Sequence, residues 1–418
     1  MRRAIRTVSA ILAVVLLVTA FGTADVSAKS KKSGAAKLAR PKISVKTSGR
    51  YDVTLHWKSV NGAEKYLVYQ STKKHKGYKL VMRASAGTNS YHTDSVKSGK
   101  LYFKVKCVGK VNGKAAKSKF SKIKKVKISR PNKKGNSGKY ALGNAGYNGK
   151  LKGKKLVFVG SSLTAGYRSK NVSFVDYLAK RTGCTVVKDG RSGTTTARNG
   201  SGKDFVTRSV SLINRTKRPD LFLCQLSAND ATKGIKLGKV TPAGTPMEKF
   251  DTTTVAGAME YIICYSDKKW GCPVVFYTAM HIDNPRYKQM VSLLYQVQKK
   301  WGIGVIDLYH GLDKYSIKAK TYRLYMHDRL HPFKAGYLKW VTPYFEARIP
   351  GFLNMPLRSY VPPGETEPPT ETEPPTEEVT DPTESTEPTE STDPTDSTDS
   401  ETGTDEAESS NSEDQNPL

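Results

Sequence analysis

Residues 151 to about 353 alternate short apolar runs with amphipathic stretches, and this alternation limits the fold more than any other feature. Leu156-Val157-Phe158-Val159, Leu221-Phe222-Leu223-Cys224 and the Val274-Val275-Phe276 of CPVVFYTAM carry no polar position. A strand with one wet face alternates polar and apolar, so such runs belong to strands covered on both faces. CTVVKDG and GIGVIDLY bring the strand-like segments to five. Between them, SFVDYLAKRTG puts Phe174, Tyr177 and Leu178 on one helical face and closes on Gly183. VAGAMEYIICYSDKKWG and YKQMVSLLYQVQKKWG also read as helices, with Asp251 and the threonines after it as candidate caps for the first. The pattern predicts a parallel sheet covered by helices on both sides, with ligands at the carboxyl ends of the strands.

The first apolar run ends at Gly160 and turns into Ser161-Ser162-Leu163-Thr164-Ala165-Gly166. A strand that stops at a glycine and turns into a helix puts a hydroxyl at a helix N-terminus. Backbone N–H groups there favour negative charge, which is what a serine nucleophile needs when an oxyanion forms beside it.

GSSLTAG resembles the first block of the SGNH, or GDSL, hydrolases, G-D-S-x-T-x-G. Ser162 stands at that family's nucleophile and Ser161 where it usually has aspartate. KDGRSGTTT is similar to the second block, N-x-G-x-S-G-x-T, with Lys188 in place of asparagine and Gly193 at the glycine whose N–H faces the oxyanion. LSAND is similar to the third block, G-x-N-D, with Asn229 as amide donor and Ser227 and Ala228 in place of small residues. HDRLHPFKAGY is similar to the last block, D-x-x-H, in which Asp328 and His331 would share a face of one helical turn. Each piece alone also fits a plain structural role: a turn glycine, an Asn-Asp cap, a core histidine. Four blocks in family order at successive strand ends carry more weight than any one of them.

The resemblance implies an SGNH, flavodoxin-like α/β/α domain over residues 151–353 with a five-stranded parallel sheet. It implies a serine esterase without metal or organic cofactor. In it Ser162 attacks, His331 takes the proton and Asp328 orients His331, while Ser162, Gly193 and Asn229 form the oxyanion hole. His327 competes with His331 but lacks the D-x-x-H spacing. His281, at the end of the fourth strand, is expected beside the pocket without a catalytic role. Residues 231–250 and the loop after Met280 are expected to shape the pocket.

Residues 41–128 read as all-β. Val53, Leu55 and Trp57 alternate, as do Leu101, Phe103, Val105 and Cys107, with turn clusters such as Val60-Asn61-Gly62 between such runs. The order W-x-x-V-x-G-A-x-x-Y-x-V-Y, then G-K-L-Y-F-K-V, is similar to a fibronectin type III module, a β-sandwich in which Trp57 is core. Its expected role is spacing or wall contact. Residues 129–150, rich in Gly, Asn and Lys, are expected to link the two domains.

The N-terminus, with early arginines, an apolar stretch from Val8 to Phe21 and Val26-Ser27-Ala28, reads as a signal peptide over residues 1–28, and residues 29–40 as a disordered basic leader. Residues 354–418, with repeats such as TEPPTE, read as an acidic disordered tail. That tail makes the charge asymmetric. The 19 acidic residues from Val361 onward leave residues 1–360 with 69 basic and 18 acidic side chains, a net +51. Such a body is drawn to polyanions; with export, the expected partners are an O-acylated carbohydrate and anionic wall polymers, and not nucleic acid or a membrane span. Cys107, Cys184 and Cys224 read as buried thiols, and the spacing of Cys264 and Cys272 leaves one local disulfide open. The expected protein is a secreted or wall-associated esterase; an inert wall-binding protein and an O-acetyltransferase on the same fold are the alternatives.

Overall fold

The computed structural model describes residues 37–94 and 98–356, so the expected signal peptide, the leader up to residue 36 and the tail from residue 357 lie outside the described residues. Residues 37–128 form the expected β-sandwich. One sheet holds β2 (Ile43–Lys46), β3 (Val53–Trp57) and β6 (Ser90–Thr93). The other runs β1 (Lys37–Leu38), β8 (Lys114–Ser118), β7 (Gly99–Val111), β4 (Ala63–Ser71), β5 (Lys79–Ser85), with β9 (Lys124–Ile128) also paired to β7. Val53, Leu55 and Trp57 point inward, and Trp57 packs its ring on Tyr66, as a core residue does. The leader is shorter than expected: Lys37 and Leu38 pair with β8, because Leu38 has a core to bury into.

The second sheet is built from β10 (Lys155–Gly160), β11 (Thr185–Gly190), β12 (Leu221–Gln225), β13 (Val274–Tyr277) and β14 (Gly304–Ile306). All pairs are parallel, in the order β11-β10-β12-β13-β14. That is the doubly wound order in which the crossovers reverse direction at the first strand. The apolar runs divide as two-sided strands must. Leu156, Phe158, Leu221, Leu223, Val275 and Tyr277 pack in one core with α2 (Phe174–Thr182) and the C-terminal Phe345. Val157, Val159, Phe222, Cys224, Val274 and Phe276 pack in the other with α3 (Phe205–Arg215), α5 (Val255–Trp270) and α6 (Pro285–Trp301). Two short helices, α1 (Ser162–Ala165) and α4 (Ala228–Thr232), start at the ends of β10 and near the end of β12.

Helix ends follow local chemistry. Ser173 and Asp176 form a capping box on α2, and Gly183 closes it in the left-handed region. The cap of α5 is Thr254, the last of the threonines after Asp251. Helix α3 has no counterpart in the sequence reading, although Asp204 caps it. Residues 129–150 are packed rather than free: Asn148 donates to Arg181 O, and Asn136 caps Lys334 N. All five cysteines are buried free thiols, so the bridge left open between Cys264 and Cys272 is not formed.

Candidate active site

Strand β10 ends at Gly160 against a crowded neighbourhood. A Cβ on Gly160 would collide with the Thr164 hydroxyl and the Gln225 amide oxygen, so only glycine lets the chain turn here. The turn delivers Ser162 to the first position of α1, 8% exposed. Beneath it, Gln225 Oε1 accepts from Ser161 N (2.8 Å), Ser161 Oγ (3.1 Å) and Thr164 Oγ1 (3.0 Å), and Thr164 also meets Tyr277 OH at 2.6 Å. Ser161 therefore sits, buried, in a polar network tying β10 to β12.

Ser162 Oγ lies 2.9 Å from His331 Nε2, and Nδ1 of the same ring lies 3.0 and 2.9 Å from the two carboxylate oxygens of Asp328. The three side chains make one hydrogen-bonded line, in which Ser162 comes from 169 residues before His331 and Asp328 from three. Asp328 and His331 do not share a helical turn as expected. The helical segment Ala319–Tyr325 ends before them, and a β-bridge between Met326 and Pro332 closes the loop. Pro332 disfavours helical backbone at His331. The loop is held by His327 N donating to His331 O, and by Asp328 Oδ1 accepting from Leu330 N and His331 N, both at 2.8 Å. Burial opposes ionisation of Asp328. The hydrogen bond and charge of His331, with the Leu330 N–H, outweigh it and hold the carboxyl well below its usual range. His327 reaches the far side of Asp328, with Nδ1 at 3.1 Å from Oδ2, and packs its ring on Phe333.

The loop after β11 is built around Arg208, which sequence reasoning missed. Its guanidinium is buried and donates to Gly160 O (2.8 Å), Asp189 O (3.0 Å), Asp189 Oδ1 (2.8 Å) and Thr194 Oγ1 (3.3 Å). Burial lowers its pKa and the Asp189 charge raises it back in part. Gly193 follows with φ +79°, and a Cβ there would meet nothing within 4 Å. Glycine is needed at this position for its backbone conformation, and no protein atom crowds it. Asp230 fixes the rest of the loop by accepting from Thr196 N (2.7 Å) and Ala197 N (3.0 Å). Burial pushes its pKa up to about 6 against those bonds. Asn229 turns its amide into the same loop, donating to Thr194 O at 2.9 Å and standing 3.1 Å from Ser227 Oγ.

Lys188 has a local partner: its ammonium binds Asp176 at 2.6 Å and Asn171 O, bracing the start of α2. Of residues 231–250, Lys233 reaches the site by donating to Gly193 O, while Ile235, Leu237 and Val240 pack into the core on the α5–α6 side. His281 stacks on Tyr309 and is not among the residues lining the cleft beside His331, contrary to expectation. That cleft, of about 560 Å³, is lined by Tyr51, Asp94, Ser98, Pro131 and Arg168 besides the 327–331 loop. Among the described residues no cluster of three or more His, Cys, Asp or Glu side chains is arranged to hold a metal ion.

A seryl hydroxyl on an imidazole backed by a carboxylate, at the rim of a parallel sheet, has the geometry of acyl transfer. The sequence agrees: residues 156–342 match the family model of GDSL-like lipase/acylhydrolases. This segment is a GDSL-like lipase/acylhydrolase domain. The chain is accordingly an ester hydrolase of the serine type. Solved structures similar to the GDSL-like domain include one from Chitinophaga pinensis described as a possible lipase, 15% identical, covering 48% of this chain and 99% of that one with a TM-score of 0.35. Another is a protein assigned to the lipolytic G-D-S-L family from Desulfitobacterium hafniense, 18% identical over 46% of this chain and 98% of that one, TM-score 0.35. A Fn3-like protein from Clostridium thermocellum is similar to the sandwich, 27% identical over 22% of this chain and 92% of that one, TM-score 0.17. No curated protein sequence matches the chain.

Proposed function

We propose that the GDSL-like domain is a secreted esterase that removes acyl groups, acetyl foremost, from an O-acylated carbohydrate of a cell wall or matrix. The observation that carries the catalytic part is the 2.9 Å approach of Ser162 Oγ to His331 Nε2, with Asp328 behind the ring at 2.9 Å. His331 Nε2 takes the hydroxyl proton as Ser162 Oγ attacks the ester carbonyl. Asp328 keeps the other ring proton on Nδ1 and stabilises the imidazolium. The oxyanion forms against the N–H groups of Ser162 and Gly193 and the amide of Asn229, which turns a hydrogen from Ser227 Oγ to reach it. His331 then hands its proton to the departing sugar hydroxyl, and water, activated by the same ring, releases the acid from Ser162.

The substrate class and location have a separate support. It comes from the signal-like N-terminus, the net charge of +51 over residues 1–360 and the fibronectin type III-like module, which together favour an extracellular polyanionic matrix and wall polymers as partners. The test is release of acetate from acetylated xylan and acetylated peptidoglycan, alongside 4-nitrophenyl acetate, with Ser162→Ala as control. Ser162-dependent acetate release from either polymer supports the reading. Turnover of the nitrophenyl ester alone removes the carbohydrate part, and no Ser162-dependent turnover of any ester removes the enzyme reading. Acetyl transfer to an added alcohol in excess of hydrolysis would make the protein a transferase.

A further inference from the structure

We infer that the β-sandwich is a working part of the esterase site: Tyr51 and Asp94 are positioning residues for the loop that carries Asp328 and His331. The inference rests on the proposed roles of that pair. The loop runs from Met326 to Pro332 and is anchored at two places by the sandwich. At its start, Tyr51 OH donates to Met326 O at 2.8 Å in a buried bond. Beside Asp328, Arg329 Nη1 lies 3.6 Å from Asp94 Oδ1. Asp94 is 1% exposed and also takes Lys314 Nζ at 3.2 Å and Asp283 N at 3.0 Å. One carboxylate of the sandwich thus gathers three segments of the GDSL-like domain, including the residue next to its acid.

Two further observations set this apart from incidental domain packing. Tyr51 has φ +65°, a left-handed conformation that a bulky side chain adopts only when its surroundings enforce it. The enforcing contacts face the other domain: Tyr51 packs its ring at a tilt against Tyr322 with centroids 5.6 Å apart, Arg323 donates to Gly49 O, Arg50 to Ile317 O, and Tyr315 OH to Asp52. Backbone strain is therefore held at the residue that grips the start of the loop. Second, Tyr51 and Asp94 stand at the edge of the cleft whose other side is the 327–331 loop, so the sandwich and the loop meet there directly. A spacer module would need neither feature.

Chemically, the anchors fix where His331 Nε2 sits. A loop released at Met326 O and Arg329 keeps Asp328 and His331 bonded to each other but lets the pair drift from Ser162, and misplacement of a general base by about 1 Å is enough to cost on the order of 10² in rate. The test uses Tyr51→Phe and Asp94→Asn in the full chain, with Tyr66→Phe as control. Tyr66 also loses a hydroxyl bond, partly buried, from Val60 N at 2.8 Å, but stays within the sandwich core. Three readouts are taken: kcat and KM for 4-nitrophenyl acetate, the thermal unfolding transition, and the low-field proton resonance of the imidazole N–H held by a carboxylate. For Tyr51→Phe the expected result is a kcat lowered about tenfold or more with KM within about twofold. Its low-field resonance should be broadened and its unfolding transition close to that of Tyr66→Phe, which keeps wild-type kcat. Asp94→Asn should behave likewise and, if it does not fold, Tyr51→Phe decides alone. A Tyr51→Phe kcat within twofold of wild type overturns the inference, as does an equal loss in Tyr66→Phe. Failure of the parent reading looks different, since wild type itself would then show no turnover sensitive to Ser162→Ala.

Discussion

Replacing Asp328 by Asn tests the acid–base pair with little change of shape. Asp328 Oδ1 accepts from Leu330 N and His331 N at 2.8 Å, and an amide oxygen can keep both bonds. The new NH2 group then falls where Oδ2 stood, 2.9 Å from His331 Nδ1 and 3.1 Å from His327 Nδ1. An amide donates there, and the only acceptor left to Nδ1 is Oδ1 at 3.0 Å, already taken by two backbone N–H groups, so the ring proton is driven from Nδ1 to Nε2. The nitrogen facing Ser162 at 2.9 Å then carries hydrogen and cannot take the seryl proton. An inverted tautomer in a serine triad costs about 10⁴ in kcat, or about 5 kcal/mol of barrier. The backbone bonds survive, so the unfolding midpoint should move by only a few degrees, whereas Asp328→Ala would add the loss of two bonds at about 1 kcal/mol each. The assay is kcat for 4-nitrophenyl acetate with differential scanning calorimetry on the same samples. A D328N enzyme within tenfold of wild type would refute the assignment of Asp328 as the group that fixes His331.

Other outcomes follow from the same geometry. His327→Gln should keep kcat within a few-fold, because His331 and not His327 is bonded to Ser162; a loss comparable to His331→Gln in the same ester assay would exchange their roles. Gly193→Ala should lower kcat/KM by about 10² through a displaced oxyanion donor, with stability reduced by only about 1–2 kcal/mol from the positive φ, because the added methyl meets no protein atom. Arg208→Met leaves Asp189, Gly160 O and Thr194 short of their donor and should cost about 3 kcal/mol or more in denaturant unfolding. Asp230 binds its proton more tightly folded than unfolded. The stability it contributes is present below about pH 4 and lost as pH rises through about 6, on the order of 3 kcal/mol in all. The difference in unfolding free energy between wild type and Asp230→Asn, measured from pH 4 to 7, should show that fall. A thiol titration should find none of the five cysteines reactive in the native protein and all five after denaturation.

What could be read from the sequence was whatever one element carries by itself. The apolar runs of β10, β12 and β13 announced strands buried on both faces because each run is complete within itself. Ser162, Asp328 and His331 stand in local patterns, and the structure brings them into one hydrogen-bonded line. The helical turn assigned to Asp328 and His331 failed because spacing alone was weighed, while Pro332 next to His331 was not. Arg208 had a detectable signal, a charge on the face that α3 buries with Phe205 and Leu212, but α3 itself went unread. Gln225 closes an apolar run, and the polar end of such a run in a covered strand calls for a buried partner. The grip of Tyr51 on Met326 joins positions 275 residues apart, and no local pattern encodes it.

The central claim is that Ser162 is an activated nucleophile, and a fluorophosphonate that traps such serines tests it most directly. After exposure of the full chain, peptide mass spectrometry should find one phosphonylated residue, Ser162, with labelling slowed by several orders of magnitude in His331→Gln. A label at the neighbouring Ser161, or an unlabelled chain that is otherwise folded, would contradict the account.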